Sequence, residues 1–172
     1  TSLTALETDL SDLLVSNNVY STAVTVNSAA SMASALALGN KVALMNAAVS
    51  ITDKATIADA DIQTFVDRIK TMNGTFTYDS DSATGFVPTF DEMVAATVIN
   101  LTPAGPVSFK KLASATDVTI TTSYATKITS LDMSALASVS SFNTGTANQL
   151  HLSSATNVDL GELTRYGASL SI

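Results

Sequence analysis

The run Phe109-Lys-Lys-Leu-Ala-Ser-Ala-Thr-Asp-Val-Thr-Ile120 and its counterpart Leu150-His-Leu-Ser-Ser-Ala-Thr-Asn-Val-Asp-Leu160 decide how this chain is read. Each opens on an apolar anchor, passes through a small Ala-Thr pair, and ends on two apolar residues with one polar residue between them. Outward from these runs, one pattern recurs four times: an apolar residue, small or apolar at +3, apolar at +6, and apolar at +8 or +9. The copies are Met93–Ala96–Ile99–Leu101, Leu112–Ala115–Val118–Ile120, Met133–Leu136–Val139–Phe142 and Leu152–Ala155–Val158–Leu160. Their starts at 93, 112, 133 and 152 give steps of 19, 21 and 19 residues, and the anchors Phe90, Phe109, Leu131 and Leu150 precede them. Leu170 reads as a fifth anchor, opening a further rung near the chain end.

Alternating apolar pairs such as Val118/Ile120, Val158/Leu160 and Leu170/Ile172 read as short strands facing a core. The stretches Pro103-Ala104-Gly105-Pro106, Asn143-Thr144-Gly145-Thr146 and Tyr166-Gly167 read as corners between strands. The two quoted runs resemble the rungs of leucine-rich-repeat-like proteins, above all the short Ser/Thr-rich rungs of bacterial surface repeats and receptor L-type domains. The resemblance covers about residues 88–172, lacks the recurring Asn of that family, and replaces many leucines by Ala or Ser. It implies a solenoid used for recognition or assembly; a plain β-solenoid fits the same residues. One rung buries too little to offset the entropy of ordering its backbone, so neighbours must share their buried faces and the ends need covers.

The first half reads as such a cover. Residues 3–15 fit an amphipathic helix, with Thr4-Ala-Leu-Glu7 as a capping box and Leu6, Leu10, Leu13 and Leu14 on one face. A second helix is expected over about Ala29–Leu38, closed by Gly39-Asn40. A third is expected near Asp61–Lys70, with Asp59 or Asp61 capping its start and Asn73-Gly74 after its end. Ala23–Val26, Val42–Met45, Val49–Ile51 and Thr75–Tyr78 have strand character, and Leu44–Ile51 echoes the later repeat. The expected class is therefore α+β: a mixed helix and strand capping module over 1–78, a polar loop over 79–89, and a repeat solenoid of about 20-residue rungs over 90–172, starting near 90, 109, 131, 150 and 170.

Composition sets limits on function. Lys+Arg 8 against Asp+Glu 15 gives a net charge of −7, which lacks the electrostatic footprint for nucleic acid. No apolar stretch approaches the roughly 18 residues of a membrane span, so no membrane insertion is expected. With Cys 0, disulfides, thiolate metal sites and Cys nucleophiles are excluded. Residue 1 is Thr rather than Met, as in a processed product or a fragment.

Candidate chemistry is sparse. His151, the single histidine, lies between Leu150 and Leu152 and is expected on the outer face of a strand. Asp79 and Asp81, with Asp91 and Glu92 further on, have oxygen donors suited to Ca²⁺, but the calcium-loop pattern is absent, so an acidic surface loop is the simpler reading. Asp132 and Asp159 are placed to share an outer face in adjacent rungs, as isolated solvated charges rather than a hydrolytic pair. The outward rows that include Thr119, Thr121, Ser153 and Ser171 are first a means of solubility, and Asn73-Gly-Thr75 and Asn100-Leu-Thr102 are glycosylation patterns common by chance in a Thr-rich chain. No cofactor is expected and the chain is read as no enzyme.

What remains is an open end. A strand over Ser169–Ile172 with no cap after it exposes an edge that native proteins cover. The expectation is a structural protein that stacks head-to-tail on itself or on other structural subunits, through Leu170 and Ile172 at one end and Leu6 and Leu10 at the other. Its setting would be a cell surface, an extracellular filament or a virion. The alternative is an adhesin or receptor-binding module with a glycan or protein ligand, which the absence of Trp disfavours.

Overall fold

A computed structural model describes residues 19–53, 55–80, 86–121, 130–143, 157–159 and 165–170, the last two stretches and residue 143 by backbone alone. The fold is mixed α/β, with two helices and parallel strands. The strands are β1 (Val19–Tyr20), β2 (Val24–Val26), β3 (Leu44–Met45), β4 (Val49–Thr52), β5 (Thr71–Asp79), β6 (Ala95–Thr102), β7 (Val107–Ser108), β8 (Ser114–Ile120), β9 (Ser130–Asp132), β10 (Ser138–Asn143), β11 (Asn157–Asp159) and β12 (Arg165–Leu170). Helix α1 (Ala29–Leu36) follows β2, and α2 (Asp59–Val66) follows β4. The long strands lie side by side in chain order, from β1 and β2 through β3 and β4, β5, β6, β8 and β10 to β12, and β7, β9 and β11 form a second, three-stranded sheet. Every pairing among the described residues is parallel.

Register turns the repeat into columns. Tyr20, Met45, Met72, Ala96, Ala115, Val139 and Tyr166 stand opposite one another, so successive coils take 25, 27, 24, 19, 24 and 27 residues. A second column runs Val24, Val49, Phe76, Ile99, Val118, Phe142 and Leu170, and a third Val26, Ile51, Tyr78, Leu101 and Ile120. From Val24 to Phe142 the second column is buried, and the whole third column is too. Alternate residues point to opposite faces of a strand, so these columns are the sheet's contribution to the core. The sheet and the buried cluster continue from β5 to β6 across residues 80–94.

The first two copies of the repeat align as read: Ala96, Ile99 and Leu101 lie opposite Ala115, Val118 and Ile120. The later copies slide. Met133–Leu136–Val139–Phe142 has a uniform spacing of three, so it fits the pattern in two frames, and the structure takes the other one. Val139 and Phe142 pair with Ala115 and Val118, while Met133 and Leu136 form a corner. Leu131, read as an anchor, belongs to β9, and Val158 lies opposite it in β11 rather than in the long sheet. Leu170 does not open a new coil but stands opposite Phe142, and Tyr166-Gly167, read as a corner, lies inside β12 beside an irregular register.

The corner is a four-residue turn that recurs as Val66–Ile69, Phe90–Met93, Phe109–Leu112 and Met133–Leu136. In each, the last N–H donates to the first C=O, over 3.0, 3.1, 3.3 and 2.9 Å. All eight flanking apolar residues are buried. The following N–H groups then join the coils: Lys70 to Ala43, Val94 to Lys70, Ala113 to Val94 and Ala137 to Ala113, at 2.8–2.9 Å. The interior is stacked as well. Phe90 lies flat on Phe109 at 4.5 Å and meets Phe76 edge-on at 5.4 Å.

Helix α1 begins at Ser28, whose Oγ accepts from Ser31 N–H while Ser31 Oγ accepts from Ser28 N–H. This reciprocal pair satisfies donors that the first turn leaves free. The helix stops at Leu36, two residues short of the expected end, and Gly39 takes the left-handed conformation that closes it (φ 58°). Helix α2 starts earlier than expected, and its N-cap is Ala58, with no side-chain bond. Asp59 and Asp61 therefore do not cap it; they sit in its first turn, where they favour the positive end of the helix dipole. It ends at Val66 because Ile69 and Lys70 are claimed by the corner and the coil joint. Gly74, read as a helix stop, lies inside β5 where that strand has one residue more than β6. A Cβ there would overlap the Ala47 carbonyl, so only glycine lets the bulge sit against the preceding coil. The helix read over 3–15 lies outside the described residues.

Candidate functional site

Three places carry polar or open character against this apolar interior: the charged corner, a buried polar pair, and the two edges of the sheet.

The corner turns place Asp91-Glu92 between Lys70 of the preceding coil and Lys110-Lys111 of the next. Lys70 Nζ and Lys111 Nζ contact the two oxygens of Glu92 at 2.7 and 2.6 Å, and Lys110 Nζ lies 3.0 Å from Asp91. Hydrogen bonds from Lys111 first, then Lys70, hold the Glu92 carboxyl down to about 2. Partial burial pushes the Asp91 carboxyl up, but bonds from Ser108 Oγ (2.5 Å) and from Lys110 outweigh it and leave it below its ordinary value. The Lys110 ammonium is raised by the same contact. Asp91 and Glu92 are thus engaged by lysines. Asp79, the described member of the predicted Ca²⁺ pair, is exposed at the end of β5, opposite Thr52 and Thr102. Asp81 lies outside the described residues. Among the described residues no group of three or more His, Cys, Asp or Glu side chains could hold a metal ion. Asp132 and Asp159 do fall opposite each other in β9 and β11, and the Asp132 carboxylate accepts the Ser134 N–H at 3.1 Å.

Asp53, Asp59, Asp61 and Asp67 lie close together in the sequence. The structure separates them. Asp53 is buried at 3% exposure after β4, its N–H donating to Asp79 C=O. Tyr78 Oη lies 3.5 Å from its carboxylate and donates to Phe86 C=O at 2.9 Å, which also accepts from Ser80 Oγ at 2.6 Å. Burial first, then the Asp53 charge, push the Tyr78 phenol well above its usual range. The cluster ties the segment at Phe86 to the sheet. Asp67 instead accepts from Gln63 in α2, which also bonds Thr89.

The edges are the ends of the strand order. Among the described residues β12 has a neighbour on one side, β10, and β1 and β2 pair with β3 and β4 alone. Beside β1 and β2 a groove of about 290 Å³ opens between the strands and α1, lined by Tyr20, Ala23, Val24, Ser34, Ala35 and Leu38 among others. That is just below the roughly 300–1,000 Å³ of sites built for small molecules. Of the predicted assembly residues, Leu170 is at the β12 edge, while Ile172, Leu6 and Leu10 lie outside the described residues, as do His151, Ser153 and Ser171. On the outer face of the long sheet, Thr25, Ser50, Thr77, Asn100 and Thr119 form an in-register column, so the outward row expected at Thr119 extends back through the first half of the chain. No helix among the described residues is long and apolar enough to cross a membrane. Comparison with known proteins gave no match: no family model fits the chain, and no curated protein or solved structure is significantly similar to it.

Proposed function

We propose that this chain is a non-enzymatic structural protein, a helix-and-strand capping module followed by a short leucine-rich-repeat-like β-solenoid, that associates head-to-tail with further copies. The observation that carries this reading is the pair of strand edges. In an all-parallel stack, the groups pointing off one edge complement those pointing off the opposite edge, so a copy translated along the stacking direction continues the ladder. Such a contact is heterologous and does not close on itself unless it rotates, which favours filaments or rings. Low charge supports the reading, since only 13% of residues are Asp, Glu, Lys or Arg and close stacking meets little repulsion. The setting that suits it is a cell surface, an extracellular filament or a virion.

Leu170→Asp tests it, because an uncompensated carboxylate in the ladder would have to be buried on stacking. Light scattering over a concentration series, with electron microscopy, should show growth for the natural chain and none for the variant. A natural chain that stays monomeric at all concentrations refutes the reading. The hydroxyl and amide column from Thr25 to Thr119 favours a second reading, recognition of a glycan or protein ligand by the sheet face. There, Thr77→Val with Thr119→Val should abolish ligand binding on a glycan array while leaving particle size unchanged.

A further inference from the structure

We propose that the outer face of the long sheet binds the surface of an ice crystal through two in-register columns of short polar side chains. The inference deepens the recognition reading of that face and rests on it. The first column runs from Thr25 through Ser50, Thr77 and Asn100 to Thr119. Two residues further along the strands, Thr52, Asp79 and Thr102 stand opposite one another, and Thr121 continues the line where its N–H donates to Leu101 C=O. The residues between the two columns, Ile51, Tyr78, Leu101 and Ile120 among them, are buried on the other side of the sheet. None of the outward side chains in either column is buried. The side-chain hydrogen bonds of the described residues gather at the helices, the corners and the segment at Phe86, and none involves these columns. Their hydroxyls and amides therefore keep donor and acceptor capacity for what lies outside.

Register makes these columns a lattice, with steps of about 4.8 Å across the strands and about 6.7 Å along them. Oxygen atoms along the basal axes of hexagonal ice repeat at close to the first spacing, so successive coils present the same kind of group to successive lattice positions. A sugar unit is longer than that step, and a glycan chain laid across the coils would drift out of phase. Neither column holds an aromatic ring on which a sugar face could stack. Charge points the same way, since Asp79 is the single ion in the two columns and a charge taken from liquid water without a partner is costly. A Thr side chain suits the solid surface, with a hydroxyl to bond an oxygen and a methyl to cover beside it. The groups are already held in place by the coil stack, so binding orders little that was free. The next outward column, Thr75, Val98, Asp117 and Ser141, mixes a charge with an apolar residue and bounds the array on one side.

The test is the gap between the freezing and melting points of a single ice crystal held in a solution of the whole chain on a cold-stage microscope. The natural chain should open a gap that grows with concentration and should turn round crystals into faceted ones. Thr77→Tyr, which raises a ring from the middle of the first column, should remove more than half of that gap. Thr64→Tyr, at an exposed position on α2, should leave it unchanged. Asp79→Thr, also at an exposed position, completes the second column and should widen the gap, which keeps the test decisive if Thr77→Tyr does not fold. Round crystals with no gap at millimolar protein would overturn the proposal, as would a gap indifferent to Thr77→Tyr in a folded variant or no wider in Asp79→Thr. A glycan-array signal that Thr77→Val with Thr119→Val abolishes, in a chain that opens no gap, would keep the face as a recognition surface and overturn ice as its partner. Neither signal would take both readings down.

Discussion

Phe90 is the side chain on which the interior should depend most. It is 1% exposed and has three ring neighbours: Phe109 stacked at 4.5 Å, with 12° between planes, Phe76 at 5.4 Å and Tyr78 at 6.2 Å, both edge-on. Phe76 and Tyr78 belong to the preceding strand and Phe109 to the next corner, so Phe90 joins the coils carrying helices to those carrying short strands. Phe90→Ala is predicted to cost about 3–5 kcal/mol through lost transfer and cavity formation. At roughly 2–4 °C per kcal/mol for a chain of this size, the melting temperature should fall by about 6–20 °C in scanning calorimetry. The sharper test is the pair itself. A double-mutant cycle of Phe90→Leu with Phe109→Leu should return about 0.5–1.5 kcal/mol of coupling. Coupling under about 0.3 kcal/mol would mean that the two rings stabilise the chain only through their separate burial, and the stacked joint between coils would be refuted.

The remaining predictions use single contacts. Gly74→Ala should destabilise the chain by about 1–3 kcal/mol in urea melts, because its Cβ meets the Ala47 carbonyl and the bulge must shift; a neutral result would refute the close approach of β5 to the preceding coil. Glu92→Gln should lower the melting temperature at pH 5 and 0.1 M salt. The Glu92 carboxyl falls from 4.5 to about 2 on folding, so its stabilisation is present above pH 4.5 and lost as pH falls toward 2, where variant and natural chain should melt together. A gap that persists at pH 2 would show that charge is not its source. Tyr78, one of the chain's 4 tyrosines, should fail to ionise in the folded state through the range where ordinary phenols do, seen as missing absorbance at alkaline pH. Its raised value means this contribution is whole below about pH 10 and fades above it.

Much of the column structure was legible because its spacing survives in the residues. Ala96–Ile99–Leu101 and Ala115–Val118–Ile120 share both strand spacing and coil length, and they align in space as they do in sequence. The faint echo at Val49–Ile51 was the same signal, obscured because Met45 to Val49 is one residue longer than Ala96 to Ile99. That extra residue recurs in β5, where Gly74 absorbs it, and glycine reads equally well as a helix stop. Past Ile120 the coils lengthen, and a pattern with equal steps of three offers no way to tell a corner from a strand. Asp53 was illegible for a different reason: its burial depends on Tyr78 and Asp79 of the next coil, a contact that no local pattern announces.

The corner charges explain how a chain of small, hydroxyl-bearing residues keeps its coils in step. Parallel strands with Ala, Ser and Thr in neighbouring columns specify register weakly, since a slipped pairing loses little packing. The three ion pairs among the described residues all lie on one corner, linking Lys70 to Glu92 to Lys111 and Asp91 to Lys110. Exposed pairs of this kind add little stability, so their value lies in what they forbid. Moving the Lys110-Lys111 corner back by one coil would set it beside Lys70, like charge against like. The next corner, Ser134-Ala135, is uncharged, so among the described residues the linked ion pairs end at Lys110-Lys111. Charge therefore fixes register where the Phe90–Met93 corner meets its neighbours, in the middle of the stack.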